Sequence, residues 1–425
     1  MSGTLRVLVT TDAFPPNCGG SGWSTWELVR GLAARGHDVE VIKAEAGPAP
    51  GVFETRYEGF RVTTFRTTAP NLVVARNIAK NERLWSSLAT YLKDERLRLS
   101  PPDVVHAQHV MTTTPSVDAG RAFNIPVVAT VRDYWPVCYW SDLIYDPAQP
   151  DLCPACSTKM MTRCVRPRAG AATVAAWSVI PYMRANLRKK REALARASAI
   201  IAVSTAIADD LRTRAPEIAG TPLYTIPNPI DMAGLDDTTA QPTPLLDGPY
   251  VLYAGKLAVN KGVQFLLPAY RQAGLNWPLV VVGDGPLRAS FERDAREQQV
   301  DVRMLGWQDR AMVWSWMRHA SVLAFPSYGP ESLSRVLLEA AALGVPIAAM
   351  RTGGTGDILR GGTTALLSDG PASFAEDLAT LARDERLRAS LAAAARSDVR
   401  ARFATSIVVE QVEQVYRALL EPEAA

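Results

Sequence analysis

The chain lacks any long hydrophobic run. None of its apolar stretches reaches the roughly eighteen residues that a membrane-spanning helix needs. The start, MSGTLRVLVTTDAFPP, has neither the charged region nor the long apolar stretch and cleavage site of a secretory signal. The net charge is only +3, which gives no reason to expect a nucleic-acid partner. These absences predict a soluble cytoplasmic protein, in which the five cysteines are reduced unless they bind metal.

The composition is that of a globular protein, with 48% hydrophobic and 21% charged residues in 425. That length is enough for two or three domains. Short Val/Ile-rich runs alternate with helical patterns, which indicates parallel sheets covered on both faces. The predicted strands are 5–11, 39–44, 103–108, 126–131, 199–204, 250–255, 278–285, 302–307, 321–327 and 345–350.

The strand pattern pauses once, at IDMAGLDDTTAQPTPLLDGP, which is rich in Pro, Asp and Thr and typical of a linker. The fold class is therefore α/β, with two Rossmann-like, doubly wound domains facing each other across a cleft. Ligands are expected at the carboxyl ends of the strands. The predicted boundaries are 1–230, a linker at 231–248, a second domain at 249–404, and a last segment at 405–425.

A glycine-rich loop follows the first predicted strand. Gly19, Gly20 and Gly22 precede a helix, so backbone N–H groups there can approach a phosphate closely. A simple tight turn remains the alternative. The loop is not G-x-G-x-x-G and no clear acidic ribose reader follows it, so dinucleotide binding is disfavoured.

Two lysines lie in the first strand-to-helix loop of the second domain. Lys256 and Lys261 occur in YAGKLAVNKG, and two cations five residues apart can neutralise a diphosphate from two sides. The alternative is a pair of solvated side chains. Lysine is scarce in this arginine-rich chain, which favours the functional interpretation.

Two glutamates stand eight residues apart in PSYGPESLSRVLLEAAALGVP, at 326–346. Glu331 is predicted at the entrance of a helix that contains Glu339 and ends at Gly344, with Ser332 and Ser334 as candidate caps. A helix entrance suits an anion. The carboxylates are interpreted as acceptors for hydroxyls, and the combination indicates a nucleotide sugar. Two solvated surface glutamates are the alternative.

A further set of motifs runs along the chain in a fixed order: GG with GHDV, DVVHAQ, AIIAVSTAIADDL, IPNPID, GKLAVNKG, VVGDGPLR, VRMLGW and the E-x7-E segment. Over nearly its full length the chain resembles the large family of retaining GT-B glycosyltransferases called family 4. The resemblance is most specific from 224 to 357. It implies a nucleotide-diphosphate-sugar donor, UDP- or GDP-linked, held mainly by the C-terminal domain, and a sugar-containing or other hydroxyl acceptor held by the N-terminal domain.

The resemblance also implies roles for residues at matching positions. Glu339 accepts hydrogen bonds from ribose hydroxyls, and the last helix crosses back to the first domain. No organic cofactor and no catalytic divalent metal are implied. Other implied contacts are Gly19, Gly20 and Gly255 near the diphosphate, Lys256 and Lys261 neutralising it, and Glu331 with Ser332, Leu333 and Ser334 holding the sugar.

Three positions depart from the family pattern. The family commonly has Arg where this chain has Lys256, and Gly-Phe-Gly where it has 332–334. It usually has His where this chain has Arg132, before Asp133. An arginine is no base at neutral pH, but it can stabilise charge on a leaving phosphate. Alternative functions are therefore a nucleotide-sugar epimerase or hydrolase, and a non-catalytic sugar-nucleotide sensor.

The segment 134–181 is least shared with the family and contains four cysteines. Four thiolates would suit a structural zinc ion. Their spacing is not a standard one, so an iron–sulfur cluster and free or redox thiols stay open. The residues are Cys138, Cys153, Cys156 and Cys164.

Aromatic residues lie beside the cysteines. Asp133, Tyr134 and Trp135 are acceptor-side candidates, since aromatic faces can stack on an acceptor; core packing is the alternative. The basic helix predicted at 181–197 is a candidate for peripheral contact with an anionic membrane, against the alternative of a solvated face.

Overall fold

The computed structural model describes residues 3–70, 79–146, 152–237 and 246–421. The chain divides into two compact units. The first comprises Met1–Ser141, Ala155–Pro229 and Thr405–Ala425, and the second comprises Asp142–Pro154 and Ile230–Ala404. The segment 142–154, which sequence analysis assigned to the N-terminal domain, groups with the second unit instead.

The first unit is built on an eight-stranded sheet in the order β3-β4-β2-β1-β5-β6-β7-β8. All neighbours are parallel except β3 and β4, which form an antiparallel hairpin. The strands are β1 (Arg6–Thr11), β2 (Asp38–Ala46), β3 (Gly51–Tyr57), β4 (Phe60–Thr67), β5 (Val104–Ala107), β6 (Val127–Val131), β7 (Ala199–Ala202) and β8 (Leu223–Thr225).

Helices cover this sheet. The α-helices are α1 (Gly20–Ala34), α2 (Leu84–Tyr91), α3 (Val110–Ala122), α4 (Thr158–Ala169), α5 (Thr173–Ala176), α6 (Ile180–Ala195) and α7 (Thr205–Arg214). Two π-helical turns, Ala79–Arg83 and Leu92–Leu97, flank α2. Short 3-10 turns occupy Gly170–Ala172, Trp177–Val179 and Pro216–Ile218.

The second unit has a six-stranded parallel sheet in the order β11-β10-β9-β12-β13-β14. Its strands are β9 (Val251–Ala254), β10 (Leu279–Val282), β11 (Val302–Gly306), β12 (Val322–Phe325), β13 (Ile347–Met350) and β14 (Leu366–Ser368). Its helices are α8 (Met232–Asp236), α9 (Val263–Gln272), α10 (Arg288–Glu297), α11 (Arg310–Arg318), α12 (Arg335–Leu343), α13 (Thr355–Ile358), α14 (Pro371–Arg383) and α15 (Glu385–Phe403), with a 3-10 turn at Val259–Lys261.

All ten predicted strands are present, within about three residues at each end. The hairpin β3–β4 was not predicted. Its outer strand β3 is mostly exposed and lacks a buried apolar run, so it gives no core-strand signal. A two-residue turn at Glu58 and Gly59, both with positive φ, closes the hairpin. The edge strands β8 and β14 were also missed, because each has only three residues.

The predicted linker contains ordered structure. Asp231 caps α8 by accepting from Gly234 N at 3.0 Å, and Asp236 receives two hydrogen bonds from Arg400 of α15, at 2.8 and 2.6 Å. Sequence analysis did not predict the five-residue helix α8, because this stretch has no apolar periodicity. The rest of the linker, 238–245, lies outside the described residues.

The last helix, α16 (Thr405–Leu420), packs on the first unit. A Cβ at Gly31 of α1 would meet Val409 Cγ2 at 2.6 Å and Thr405 Cγ2 at 2.7 Å, so the two helices approach closely because glycine stands there. Valines of α16 and Tyr416 join the core formed by β1, β5, β6 and α1. Arg35 donates to Glu413 at 2.5 Å at the rim.

A buried hydrogen bond connects α16 to the centre of the sheet. His106 Nδ1 of β5 lies 2.5 Å from Tyr416 Oη, and His106 Nε2 lies 2.7 Å from Thr130 Oγ1. Burial lowers the pKa of His106 to about 3, and the nearby charge of Arg132 acts in the same direction. The imidazole is therefore neutral, and both of its nitrogens have a partner.

The substitution Tyr416→Phe is expected to destabilise the protein. It leaves His106 Nδ1 buried without its partner, at a cost of about 1–3 kcal/mol in the free energy of unfolding. Urea denaturation followed by circular dichroism measures this. The control is Tyr224→Phe, because Tyr224 is 38% exposed on edge strand β8. Equal stability of the Tyr416 variant and the wild type would contradict a stabilising role for this hydrogen bond.

Candidate active site

Four loops of the second unit meet at the carboxyl edge of its sheet, where open α/β sheets bind ligands. Backbone hydrogen bonds of 2.7–3.0 Å join successive loops. The donor–acceptor pairs are Gly255 N to Val282 O, Leu257 N to Asp284 O, Gly329 N to Asn260 O, and Gly354 N to Glu331 O. These bonds fix the backbone around any ligand at this edge.

Two glycines make the close approach of these loops sterically feasible. Gly262 has φ +68° and a Cβ there would lie 1.7 Å from Pro326 O. Gly283 has φ +134° and a Cβ there would lie 2.0 Å from Gly255 O. Any side chain would push the loops apart, so glycine is required at both positions.

The structure pairs two residues that sequence analysis proposed separately. Lys261 Nζ donates to Glu331 Oε1 at 2.6 Å, and Ser327 Oγ donates to the same oxygen at 2.6 Å. Glu331 is only 7% exposed, so its charge is held by partners rather than by water. A cation and a carboxylate are thereby fixed side by side at the edge of the sheet.

Lys256 lies in the same loop but is exposed. Its carbonyl accepts from the hydroxyl of Tyr253 at 2.9 Å. Burial raises the pKa of Tyr253, with the charge of Glu331 adding to the effect, so this phenol stays a hydrogen-bond donor. Tyr253 is a positioning residue that sequence analysis missed, because it reads as an ordinary strand residue.

Glu339 lies inside α12 and is 7% exposed. Arg335 Nε, one turn earlier, donates to Glu339 Oε1 at 3.0 Å, and Arg310 Nη2 lies 3.6 Å from the same oxygen. The guanidinium of Arg310 also stacks over the Trp314 ring at 4.2 Å. The carboxylate is thus held in one orientation by α11 and α12.

The helix begins later than predicted. Helix α12 starts at Arg335, four residues after Glu331, which lies in the preceding loop. Ser334 is the N-cap residue in an extended conformation, but its side chain makes no capping hydrogen bond. Ser332 is half-buried and the Leu333 side chain packs inside at 4% exposure. The predicted stop is confirmed, since Gly344 ends α12 with a left-handed φ of +77°.

In the first unit, the glycine-rich loop opens α1. Gly19 is the N-cap with extended backbone, and α1 starts at Gly20. Both glycines are exposed, and no atom lies within 4 Å of a Cβ built on Gly19. The first N–H groups of α1 are therefore reachable by an anion.

Arg132 directly follows β6 and is 7% exposed. Its two terminal nitrogens donate to Gln108 Oε1, after β5, and to Asn228 Oδ1, after β8. These two amides are site residues that sequence analysis did not single out. Their only signal is their position just after strands, in the motifs DVVHAQ and IPNPID.

Asp133 is half-buried beside Arg132, and its Oδ1 accepts from Trp135 N at 2.8 Å. Burial raises the pKa of Asp133, although His109 opposes the change. His109 Nδ1 in turn lies 3.2 Å from Asp12 Oδ1, at the end of β1.

Burial lowers the pKa of Lys190 in α6 to about 8, against the opposing effect of Asp133. Sequence analysis missed Asp12 and His109, and it placed Lys190 only in the basic helix predicted at 181–197.

The aromatic candidates Tyr134 and Trp135 are core residues, each 2% exposed. Their burial favours core packing, the alternative that the sequence left open, over stacking on an acceptor. Tyr139 and Trp140 are half-buried and pack edge to face at 5.0 Å. They line an apolar cavity of about 250 Å³ together with Tyr182 and residues of α4 and α5.

The four cysteines do not form the predicted zinc site. In the described part of the chain, no three or more Cys, His, Asp or Glu side chains are arranged to hold a metal ion. Cys138, Cys153 and Cys164 are buried, and Cys156 is half-buried. Burial raises the pKa of Cys164 to about 11, so it is a thiol that donates to Met161 O at 3.4 Å.

Comparisons with known proteins agree with the geometry. A family profile described as Glycosyltransferase Family 4 matches residues 18–233. A second, described as Glycosyl transferases group 1, matches residues 248–384. Glycogen synthase of Mycobacterium tuberculosis is 25% identical over 437 residues, covering 97% of this chain and 95% of that protein.

Two other relatives align over shorter regions. Phosphatidyl-myo-inositol mannosyltransferase of Mycolicibacterium smegmatis is 32% identical over 50% of this chain and 56% of its own length. D-inositol 3-phosphate glycosyltransferase of Xylanimonas cellulosilytica is 32% identical over 36% of this chain and 38% of its own. The chain therefore spans well under two thirds of the length of these two relatives.

Solved structures establish the fold. Sucrose-phosphate synthase of Thermosynechococcus elongatus has a TM-score of 0.71 at 21% identity, covering 97% of this chain and 99% of that one. An Anabaena protein, HepE, solved with UDP-glucose, has a TM-score of 0.64 at 17% identity, covering 97% and 100%. The profiles match both units and the fold agrees over nearly the whole chain, so the chain belongs to glycosyltransferase family 4 and has the GT-B fold.

Proposed function

We propose that this protein transfers a sugar from a nucleotide-diphosphate-sugar to an acceptor hydroxyl, with retention of configuration and without a divalent metal. The observation that carries the proposal is the edge of the second unit, where Lys261 of the loop after β9 pairs with Glu331 of the E-x7-E segment, whose helix α12 carries Glu339. A fixed cation can bind a phosphate, and fixed carboxylates can accept hydrogen bonds from hydroxyls.

In this proposal each group at the edge has one task. Lys256 and Lys261 supply the positive charge that faces the diphosphate. Glu339, already oriented by Arg335 and Arg310, accepts from the ribose hydroxyls. Other donor contacts are Glu331 and the backbone of Ser332, Leu333 and Ser334 to the sugar, and Gly19, Gly20 and Gly255 to the diphosphate.

The acceptor oxygen attacks the anomeric carbon on the face that the diphosphate leaves. The bond from that carbon to the phosphate oxygen breaks, the bond to the acceptor oxygen forms, and the acceptor proton passes to the departing phosphate. Arg132 cannot take that proton, because a guanidinium stays charged. We assign it to stabilising the leaving charge, with Gln108 and Asn228 as positioning residues.

The acceptor is assigned to the first unit, near Asp133 and the neighbouring Asp12 and His109. The donor is proposed to be UDP- or GDP-linked, and UDP-glucose is the first compound to test because the similar HepE structure contains it. The location that we propose is the cytoplasm, where cysteine thiols are kept reduced.

Donor turnover with chelator present tests this function. Purified protein is first screened by thermal shift against UDP- and GDP-sugars with EDTA, and every hit is then assayed for nucleotide release with and without candidate acceptors. We expect acceptor-dependent release and, by NMR, an α-linked product from an α-linked donor. Release without acceptor would indicate a hydrolase, and sugar isomerisation an epimerase. Binding without any turnover would indicate a sensor, and loss of turnover on chelation would contradict metal independence.

The substitution Glu339→Ala is expected to weaken donor binding roughly ten- to a hundredfold, about 1.5–3 kcal/mol for lost hydrogen bonds to a charged group. Isothermal titration with the donor nucleotide measures this. Glu376→Ala is the control, because Glu376 is exposed on α14. Unchanged affinity in a folded Glu339 variant would remove the assignment of this carboxylate to the ribose.

The substitution Arg132→Met is expected to lower kcat roughly a hundredfold, the scale for loss of one group that stabilises transition-state charge. Donor affinity is expected to change little, because most of the proposed donor contacts belong to the second unit. Arg132→Lys retains the charge without the planar fork, so it should recover part of the loss. Arg121→Met, on the exposed face of α3, is the control. Unchanged kcat in the Arg132→Met variant would refute a catalytic role.

A further inference from the structure

The net positive charge of this protein is concentrated in one segment. Residues 158–196 contain ten lysines and arginines against one acid, Glu192, which gives a net charge of +9 in a chain whose total is +3. The remainder of the chain is therefore net acidic. The segment comprises α4, the connector 170–179 and α6.

Helix α6, where the sequence predicted membrane contact, is mostly engaged within the protein. Three cations of α6, and Arg196 directly after it, have acidic partners at 2.5–3.5 Å. Lys190 is buried at 5% exposure. The ion pairs are Arg188–Glu192, Lys189–Glu82, Arg191–Glu217 and Arg196–Asp118. These charges are largely compensated, which corrects the predicted location.

The uncompensated charge lies at the other end of the segment. Lys159, Arg163 and Arg166 fall at i, i+4 and i+7 on the exposed face of α4, opposite its buried methionines. Arg184 is exposed in the second turn of α6. None of these four has a hydrogen-bonded or ion-pair partner for its charged group among the described residues. We call these four residues the basic patch.

An apolar connector joins the two parts of the basic patch. The stretch Gly170–Val179, GAATVAAWSV, has no charged residue and follows α4 directly into α6. Val174 is 75% exposed and Trp177 is 44% exposed, three residues apart on the same side of the connector. Exposed apolar side chains flanked in this way by cations mark an interaction surface.

The chemistry of the surface selects the partner. Cations near a bilayer are attracted by anionic lipid headgroups, and tryptophan prefers the boundary between headgroups and acyl chains. A nucleic acid or an acidic polypeptide would pair with the cations but would meet an uncharged, apolar connector between them. The combination of uncompensated cations with protruding Trp and Val fits an anionic membrane surface.

We propose that residues 159–184 dock this protein on an anionic bilayer, with Trp177 and Val174 entering the headgroup boundary and the basic patch contacting lipid phosphates. The binding is peripheral. No helix in the described ranges has the length and hydropathy to cross a bilayer. The proposal concerns a surface separate from the residues assigned above to the donor, and it does not depend on which sugar is transferred.

Co-sedimentation of the full chain with vesicles tests the proposal. One set of vesicles is pure phosphatidylcholine and the other contains about one third phosphatidylglycerol. We expect binding to the anionic vesicles only, weakened by salt. The triple variant Arg163→Gln, Arg166→Gln, Arg184→Gln should lower the partition coefficient roughly 100-fold, on the scale of about 1 kcal/mol per cation.

Matched control variants test whether vesicle binding depends on this surface or only on the total charge of the protein. The control triple variant Arg271→Gln, Arg296→Gln, Arg386→Gln removes three exposed cations of the second unit and should bind vesicles as the wild type does. Trp177→Ser should weaken vesicle binding even at low salt, whereas Trp307→Ser, in which a 71% exposed tryptophan of the second unit is changed, should not.

Folding of each variant is checked by its circular dichroism and thermal midpoint. Equal binding to both kinds of vesicle, or equal losses in the two triple variants, would overturn the proposal. So would tighter binding to a single-stranded RNA than to anionic vesicles with Trp177→Ser unaffected, since a polyanion site would then explain the cations.

Discussion

The ion pair between Lys261 and Glu331 is the constraint around which the second unit is organised. It joins the loop after β9 to the loop after β12, two strands that are neighbours in the sheet. A carboxylate with so little exposure is stable there only because the lysine and Ser327 replace its water. Keeping the partners at 2.6 Å requires the loops to touch, and Gly262 allows it because no side chain separates its backbone from Pro326. The geometry of the site therefore depends on the close packing of these two loops.

The first unit holds its central cation in a different way. Arg132 is fixed by the neutral amides of Gln108 and Asn228, so its charge is oriented but not cancelled by them. His106 beneath it stays neutral, because burial and the arginine both disfavour a second positive charge. This arrangement preserves a strong local field where the family usually has histidine. A guanidinium suits stabilisation of an anion better than proton transfer.

The average composition of the chain is a poor guide to the region least shared with the family, 134–181, and to helix α6, which continues from it. A net charge of +3 suggests an unremarkable surface, yet the segment 158–196 alone carries +9. Its cysteines, which suggested a metal, are mainly buried, and they are not arranged as a metal site among the described residues. Its aromatics divide between the core and an apolar cavity. What remains exposed is a basic and apolar surface rather than a metal site.

The sequence by itself determined ten of the described strands, the two-sheet α/β architecture and the family, because continuous Val/Ile runs and the E-x7-E segment are local signals. It also identified Lys261, Glu331, Glu339 and Arg132 as candidates. Only the tertiary structure decided which of these touch. The contacts Lys261–Glu331 and Arg310–Glu339 join residues 70 and 29 positions apart, and no local pattern encodes such distances. The same holds for Tyr416 at His106, the start of α12 at Arg335, the burial of Tyr134 and the absence of a cysteine metal site from the described residues. In each case the outcome depends on what other elements bring to the position, which spacing along the chain does not contain.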